Sequence, residues 1–177
     1  MNVKDMISIT HIPEINLEYA LKHIPEDTWT DALVAESRVK TYGEGVVSKD
    51  IRHAHVGRID DEFTALLREK VDPIVRQYSL DHNIPISKLE GYHVVRYEKG
   101  QYFKEHTDQT DEFPRQISIV LYINDDYEGG TITFTKIGTP TKPEASSLFV
   151  FPSNAEFSHS ADPIISGTKY IVVGFWQ

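Results

Sequence analysis

Two residues near the middle of the chain have the types and spacing of a metal-ligand pair. His106 and Asp108 are two positions apart, so on an extended strand both side chains would leave the same face. His159, further along the chain, is a candidate third ligand. Two imidazoles and one carboxylate on one side of a metal leave its other positions open, which is typical of non-haem Fe(II) centres.

Lys169 follows His159 at the start of the apolar run 170–176. It can be interpreted in two ways. One is a solvated lysine at the end of a strand. The other is a cation inside a barrel that pairs with a carboxylate of a co-substrate.

Other histidines compete for the role of ligand. The chain has eight histidines, so a histidine two residues before an aspartate is weak evidence by itself. His53 and His55 would also share a face of an extended chain, but no carboxylate partner is suggested, and we expect them in an exposed loop. His93 lies in a predicted strand, where a hydrogen-bonded core histidine is the better interpretation.

Composition narrows the class of protein. A chain of 177 residues is long enough for one domain with a sizeable core. The net charge of -9 argues against a nucleic-acid partner. The absence of cysteine excludes disulfides, zinc-thiolate sites and thiol catalysis. We find no apolar segment typical of a signal peptide or a membrane span, so we expect a cytoplasmic protein without a membrane partner.

The amino-terminal half has helical patterns. Apolar residues recur at helical spacing over 15–24, and Pro25 ends that segment. Asp60 and Asp61 are N-cap candidates before a long apolar stripe over 63–78. Pro73 lies inside the stripe and predicts either a kink or two helices in series. The segment 38–57 is expected to be irregular or a hairpin and is a candidate flap, with the role of 41–57 left open.

After Ile84-Pro85 the pattern changes to short strand-like runs separated by turn residues. The predicted strands are 91–97, 116–123, 131–135, 147–151 and 170–176. Many short strands with turns between them favour a β-sandwich or barrel. We therefore predict a mainly β protein with amino-terminal helices (α+β). It would form a single domain over 1–177, with helical support and flap segments in 1–88 and a β core in 89–177.

Several motifs of the second half occur together in one order. They are Tyr97-x-x-Gly100-x-x-Phe103-x-x-His106-x-Asp108, the run Arg115 to Asn124, Gly129-Gly130, Phe151-Pro152, His159 and Gly167-x-Lys169-Tyr170. In this combination the chain resembles the 2-oxoglutarate- and Fe(II)-dependent dioxygenases, and within them the prolyl 4-hydroxylase group. The resemblance covers roughly residues 89–177.

The resemblance implies a double-stranded β-helix, a jelly-roll or cupin-like core with the metal in its mouth. His106, Asp108 and His159 would hold Fe(II). Lys169 would pair with the distal carboxylate of 2-oxoglutarate, and Tyr97 would hydrogen-bond that carboxylate or line its pocket.

The resemblance also implies further site residues and the reaction. Tyr122, Leu121 and Phe175 would line the co-substrate pocket, and Arg115 is a candidate substrate contact. The reaction would hydroxylate an unactivated C–H bond, most simply in a prolyl residue of a peptide or protein, with succinate and CO2 as co-products. O2 is the oxidant, ascorbate is a candidate reductant, and no acid or base outside the metal centre is predicted.

The chain departs from the family pattern in two places. The family's Gly-Gly-Glu-Thr reads Gly129-Gly130-Thr131-Ile132 here, so we expect the polar co-substrate contact at Thr131 or Thr133. The glycine usual before the strand at 147–151 is replaced around residues 144–146.

Three alternatives stay open at this point. Nucleic-acid demethylases of the same superfamily usually carry arginine at the position of Lys169, and the acidic charge also disfavours them. A hydroxylase of a free amino acid or another small molecule would have the same motifs. A cupin-type metal-binding protein without oxygenase activity would explain the strands and histidines, but not Lys169. The rim segments 41–57 and 109–114 are expected to select the substrate.

Overall fold

The computed structural model describes residues 3–34 and 46–177. The amino-terminal half consists of short strands and helices. Their order is β1 (Ser8–His11), α1 (Leu17–Lys22), β2 (Thr30–Asp31), β3 (Arg52–His53), β4 (His55–Gly57), α2 (Asp61–Lys70) and α3 (Asp72–Asp81). Short 3₁₀ helices occupy Val3–Met6 and Glu26–Thr28.

The carboxyl-terminal half is almost entirely β. Its strands are β5 (Leu89–Tyr97), β6 (Tyr102–His106), β7 (Ile117–Tyr122), β8 (Glu128–Gly129), β9 (Ile132–Phe134), β10 (Ser147–Pro152), β11 (His159–Ala161), β12 (Ile164–Ser166) and β13 (Lys169–Trp176). One 3₁₀ turn, Ala155–Phe157, precedes β11. The five strands predicted in this half are all present, with ends that differ by a few residues.

Two antiparallel sheets build the core. The large sheet has seven strands in the order β1-β10-β7-β13-β5-β4-β2, and the small sheet has four in the order β3-β6-β11-β9. Strands β8 and β12 form a separate two-stranded ribbon. One buried apolar cluster combines side chains of both main sheets, such as Tyr97 and Phe151 from the large sheet and Phe134 from the small one. The sheets therefore face each other, as expected for a jelly-roll, and the mainly β prediction is confirmed.

The helices cover the outer face of the large sheet. Asp60 caps α2, because its carboxylate accepts a hydrogen bond of 2.8 Å from the backbone N–H of Phe63. Pro73 lies in the first turn of α3, so the long apolar stripe forms two helices in series. Phe63, Leu67 and Val75 are fully buried against the sheet.

Strand β7 shows how the two faces are divided. Ile117, Ile119 and Leu121 belong to the cluster under the helices. Val120 and Tyr122 point the other way, into the space between the sheets. All six residues of the strand are buried, because protein covers both faces of the sheet.

The amino-terminal half does more than support the barrel from outside. Strand β1 pairs with β10, and β4 pairs with β5, so both extend the large sheet. Strand β3 pairs with β6 in the small sheet. Within the candidate flap, 46–57 thus includes two strands, whereas residues 35–45 lie outside the described part of the chain. None of the described helices is long and apolar enough to cross a membrane.

Candidate metal and co-substrate site

Strand pairing brings the two candidate histidine ligands together. In the small sheet His159, the first residue of β11, is directly opposite His106, the last residue of β6. The sequence predicted that His106 and Asp108 share one face of a strand. Asp108 instead lies beyond the end of β6, and the bend that follows the strand brings it close to His106. His106 Nε2 and Asp108 Oδ1 are 3.7 Å apart. One ligand atom from each of the three residues lies within 4.8 Å of the others.

Backbone carbonyls orient both imidazoles. Nδ1 of His106 is 2.9 Å from the carbonyl oxygen of Lys104, and Nδ1 of His159 is 3.0 Å from that of Phe157. A carbonyl oxygen can only accept, so each Nδ1 must carry the proton. Each Nε2 then presents a lone pair, which is the tautomer that a metal-bound histidine needs.

The electrostatics of the cluster suit a divalent metal. Burial and the neighbouring His159 lower the pKa of His106 to about 3, so its ring is neutral. Burial opposes ionisation of Asp108, but His159, His106 and the Ser118 hydroxyl outweigh it and hold the pKa of this carboxyl below its usual value. Two imidazoles and one carboxylate are the nitrogen and oxygen donors that Fe(II) accepts, so the residues fit that metal.

Arg115 is engaged with the protein itself. Its Nη2 donates a hydrogen bond of 2.7 Å to Glu90, its Nε donates to the same carboxylate, and its Nη1 donates to the Asp108 carbonyl at 3.4 Å. The guanidinium also lies 3.7 Å from the centre of the Phe175 ring. These contacts tie the loop of Asp108 to strand β5. They favour a positioning role, and the predicted substrate contact stays a prediction.

Lys169 is buried at the start of β13, with 1% of its surface exposed. It is opposite Tyr97 on the neighbouring strand. Its ammonium donates a hydrogen bond of 2.7 Å to the Gly130 carbonyl. It lies 5.3 Å and 5.2 Å from the ring centres of Tyr97 and Tyr122.

The buried ammonium of Lys169 can bind an anionic ligand. It has three N–H donors, and in the described part of the chain no carboxylate lies within 4.0 Å of it. Burial lowers the pKa of Lys169 to about 7, against a smaller opposing effect of Asp162. The side chain amide of Asn124 bonds the backbone on both sides, at Thr168 and Tyr170, and so holds Lys169 in place. A dicarboxylate such as 2-oxoglutarate fits this end of the site.

Metal ligands and ammonium share one cavity of about 480 Å³ between the sheets. Its wall includes most of the residues predicted from the sequence: His106, Asp108, His159, Lys169, Tyr97, Tyr122, Phe175 and Arg115. The remaining wall is mainly apolar, with Val95, Val120 and Ile171 from the large sheet. A largely apolar pocket with a few converging polar groups is the usual form of a small-molecule site.

Two predicted pocket residues do not face the cavity. Leu121 points to the helices, because its neighbours Val120 and Tyr122 take the inner face of β7. Thr133 alternates with Ile132 and Phe134, which are buried between the sheets, and so it points away. Thr131 instead donates a hydrogen bond to Asp162. Neither Thr131 nor Thr133 lines the cavity, whereas Ile132 presents an apolar side chain to it. The expected polar contact at Thr131 or Thr133 stays a prediction.

Sequence reasoning missed Arg52 and misplaced His53 and His55. Arg52 lines the cavity with its guanidinium 4.8 Å from the Phe103 ring centre, but a single arginine in an expected loop carries no signal. His93, expected in the core, borders the same cavity. His53 and His55 lie on short strands rather than in a loop, and His55 is 3.4 Å from Glu98.

Comparisons with known proteins agree with this geometry. Residues 92–177 match the family described as the 2OG-Fe(II) oxygenase superfamily. A protein of Acanthamoeba polyphaga mimivirus, named as a candidate prolyl 4-hydroxylase, is 26% identical over 195 residues, which cover 97% of this chain and 78% of the relative.

Solved structures share the fold. The viral collagen prolyl hydroxylase of Paramecium bursaria Chlorella virus-1, in complex with 2-oxoglutarate, superimposes with a TM-score of 0.60 at 23% identity over 71% of this chain and 79% of that one. A Trichoplax adhaerens prolyl hydroxylase with a hypoxia-inducible-factor peptide gives a TM-score of 0.71 at 15% identity over 97% and 83%. This chain has the double-stranded β-helix fold. Its residues 92–177 match the 2OG-Fe(II) oxygenase superfamily, and the chain is an oxidoreductase that uses Fe(II) and 2-oxoglutarate.

Proposed function

We propose that this chain hydroxylates a prolyl residue of a peptide or protein, in the manner of a prolyl 4-hydroxylase. His106, Asp108 and His159 would hold the iron, and Lys169 would anchor the distal carboxylate of 2-oxoglutarate. Tyr97, Tyr122 and Phe175 would line the co-substrate pocket. A cytoplasmic location and the absence of a nucleic-acid partner remain predictions from the sequence.

The observation that carries this proposal is the shared cavity. A metal-ligand set and a buried cation without a carboxylate partner in the described residues open into the same space. With both groups bound, such a centre uses O2 to place one oxygen atom in a substrate C–H bond and the other in succinate, with release of CO2. The side chains of this chain would position the reactants and keep water out.

Two observations support a prolyl substrate. Several of the similar proteins are named prolyl hydroxylases, and the one from Trichoplax adhaerens was solved with a peptide. The cavity rim also includes apolar side chains that are partly exposed, namely Leu33, Ile51 and Phe113. A compact, apolar pyrrolidine ring suits such a rim.

The test is succinate formation from 2-oxoglutarate by the protein loaded anaerobically with Fe(II) and then exposed to air. It is run with a proline-rich peptide, with the same peptide carrying alanine for proline, and with free L-proline. We expect succinate and hydroxyproline in equal amounts with the first peptide alone. Mass spectrometry with hydroxyproline standards distinguishes hydroxylation at ring carbon 4 from carbon 3.

The other outcomes separate the alternatives. Turnover with free proline but not with the peptide would favour a small-molecule hydroxylase. Slow turnover that no proline compound changes would keep the oxygenase and exclude the prolyl substrate. Asp108→Ala is the control, since loss of the only anionic ligand should abolish turnover in every arm.

A further inference from the structure

The bend that carries Asp108 is held from both of its sides by one carbonyl group. Asp108 is the one residue of the candidate ligand set that lies outside a strand, so its position depends on the bonds of this bend. The backbone N–H of Gln109 donates to the Ser153 carbonyl at 2.9 Å, and the Thr107 hydroxyl donates to the same oxygen at 3.0 Å. Both lone pairs of that oxygen are used, which fixes the bend relative to Ser153.

Ser153 also belongs to the segment that leads to a second candidate ligand. It directly follows β10 and begins the short connection to β11, whose first residue is His159. Ser153 is 1% exposed, and its backbone N–H donates to the Gln116 carbonyl at 2.9 Å. The bend of Asp108 and the approach to His159 are therefore joined at one buried residue.

The side chain of Ser118 reaches the same place from strand β7. It shares the inner face of that strand with Val120 and Tyr122, which line the cavity. Ser118 is fully buried, and its hydroxyl oxygen lies 2.7 Å from that of Ser153. The same hydroxyl forms a hydrogen bond with the Asp108 side chain, which is one reason why the pKa of Asp108 is low.

The donor and acceptor roles in this group follow from the charge of Asp108. An ionised carboxylate can only accept a hydrogen bond, so Ser118 donates its single hydroxyl hydrogen to Asp108. Ser118 then offers only lone pairs to Ser153, and the Ser153 hydroxyl is the donor in the bond of 2.7 Å. The hydrogen bonds therefore run in one direction, from Ser153 through Ser118 to Asp108.

We propose that Ser118 and Ser153 are positioning residues of the metal centre, which hold the Asp108 carboxylate in the orientation that a bound metal requires. Ser118 acts on the carboxylate directly. Ser153 acts through the Ser118 hydroxyl and, with its carbonyl, on the bend itself. Partners of this kind fix the orientation of a ligand and so raise the affinity for the metal. This inference rests on the assignment of Asp108 as a ligand.

The experiment measures metal binding rather than turnover. Mn(II) is titrated calorimetrically into the metal-free protein, for the unmodified chain and for Ser118→Ala. We expect the dissociation constant to rise about tenfold, the lower end of the usual range when the partner of a metal ligand is removed. The visible absorption spectrum of the Co(II)-saturated variant should also differ from that of the unmodified chain, because the carboxylate is no longer held.

Ser153→Ala tests the direction of the chain. It removes the donor to Ser118 but keeps the carbonyl that holds the bend, so the dissociation constant of Mn(II) should rise less than in Ser118→Ala. The double variant should lose no more affinity than Ser118→Ala alone, because the Ser153 hydroxyl acts through Ser118. Additive losses would overturn this action of Ser153.

Ser146→Ala is the matched control. Ser146 flanks the opposite end of β10, is 4% exposed and donates to the Ile15 carbonyl at 2.9 Å. Its replacement should lower the melting temperature, as Ser118→Ala does, because each variant loses a buried hydrogen bond. The Mn(II) affinity and the Co(II) spectrum of Ser146→Ala should match those of the unmodified chain.

Thr107→Val is an independent variant that tests the inference even if Ser118→Ala does not fold. It keeps the shape of the side chain and removes only the bond from the bend to the Ser153 carbonyl. We expect a higher dissociation constant of Mn(II) and a changed Co(II) spectrum in this variant as well.

The outcomes distinguish this inference from the assignment on which it rests. If Asp108→Ala abolishes Mn(II) binding while Ser118→Ala and Thr107→Val bind it as the unmodified chain does, the positioning role is overturned and the ligand set stands. An equal loss in Ser146→Ala would also overturn the role, because the effect would then be one of general stability. If the unmodified chain binds no Mn(II), the ligand set fails together with this inference. A peptide is present in no arm, so failure of the prolyl assay leaves this test intact.

Discussion

A lysine ammonium with 1% exposure and, among the described residues, a single hydrogen-bond acceptor is costly unless an anion joins it. Lys169→Ala should therefore raise the dissociation constant of 2-oxoglutarate by at least about tenfold, since it removes a charge-assisted contact. Mn(II) affinity should change little, because Lys169 is not one of the three clustered ligands. Calorimetric titration of each ligand checks this, and unchanged 2-oxoglutarate binding would contradict the assignment.

Binding of 2-oxoglutarate should also take up protons. With the pKa of Lys169 lowered to about 7 by burial, part of the population is neutral at pH 7.5, and a bound carboxylate favours the charged form. Affinity should thus decrease as the pH rises above about 7. Calorimetry in buffers of different ionisation enthalpy measures the uptake, and Lys169→Met should abolish it.

The same residue affects stability in the absence of co-substrate. Its pKa is lower in the folded chain than the ordinary value of 10.5, so the unfolded chain binds the extra proton between those two values. The contribution of Lys169 to the free energy of unfolding therefore rises with pH from about 7 to about 10.5.

At the scale of elements, the start of α2 depends on one side chain. Asp60 accepts from the Phe63 N–H and also contacts His23 at 2.8 Å. Asp60→Ala should lower the free energy of unfolding by about 1 kcal/mol, the usual value for an N-cap. The exposed Asp61 is the control. Urea denaturation measures both variants, and equal losses would show that the cap contributes nothing specific.

The turn before β9 is a second element that one residue controls. Gly130 has φ +61, and an added Cβ would lie 2.5 Å from Ile164 Cδ1 and 3.3 Å from Lys169 Cδ. Gly130→Ala should both destabilise the chain and weaken 2-oxoglutarate binding. Gly138 has φ +71 with open space around it, so Gly138→Ala should cost only the backbone strain of about 1 kcal/mol. Similar 2-oxoglutarate affinity in both variants would refute the link to Lys169.

At the scale of the whole molecule, the two halves of the chain share one large sheet. Residues 89–177 alone would lose β1, β4 and the helices, and would expose Ile119, Leu121 and Val172, which are fully buried in the intact chain. We expect this fragment not to unfold cooperatively. Thermal denaturation followed by circular dichroism tests this, and a sharp transition would support an independent carboxyl-terminal domain.

The types of the site residues could be inferred without coordinates. His106, Asp108, His159 and Lys169 stand in a family pattern of strands and turns, and Pro73 predicts the division of the long helix. The strand at 117–122 shows the opposite case. All of its residues are apolar or small and all are buried, so no polar alternation could indicate that Tyr122 and not Leu121 faces the cavity.

Contacts between residues that are distant in sequence also could not be predicted from the sequence. Glu90 and Arg115 pair across separate strands, and nothing in their local sequence indicates it. The sequence by itself determined the chemical character of this protein: the donor set for iron, the cation for a carboxylate and a mainly β chain. Only the tertiary structure decided which side chains meet, because the register of β6 with β11 and of β13 with β5 and β7 places them in one cavity.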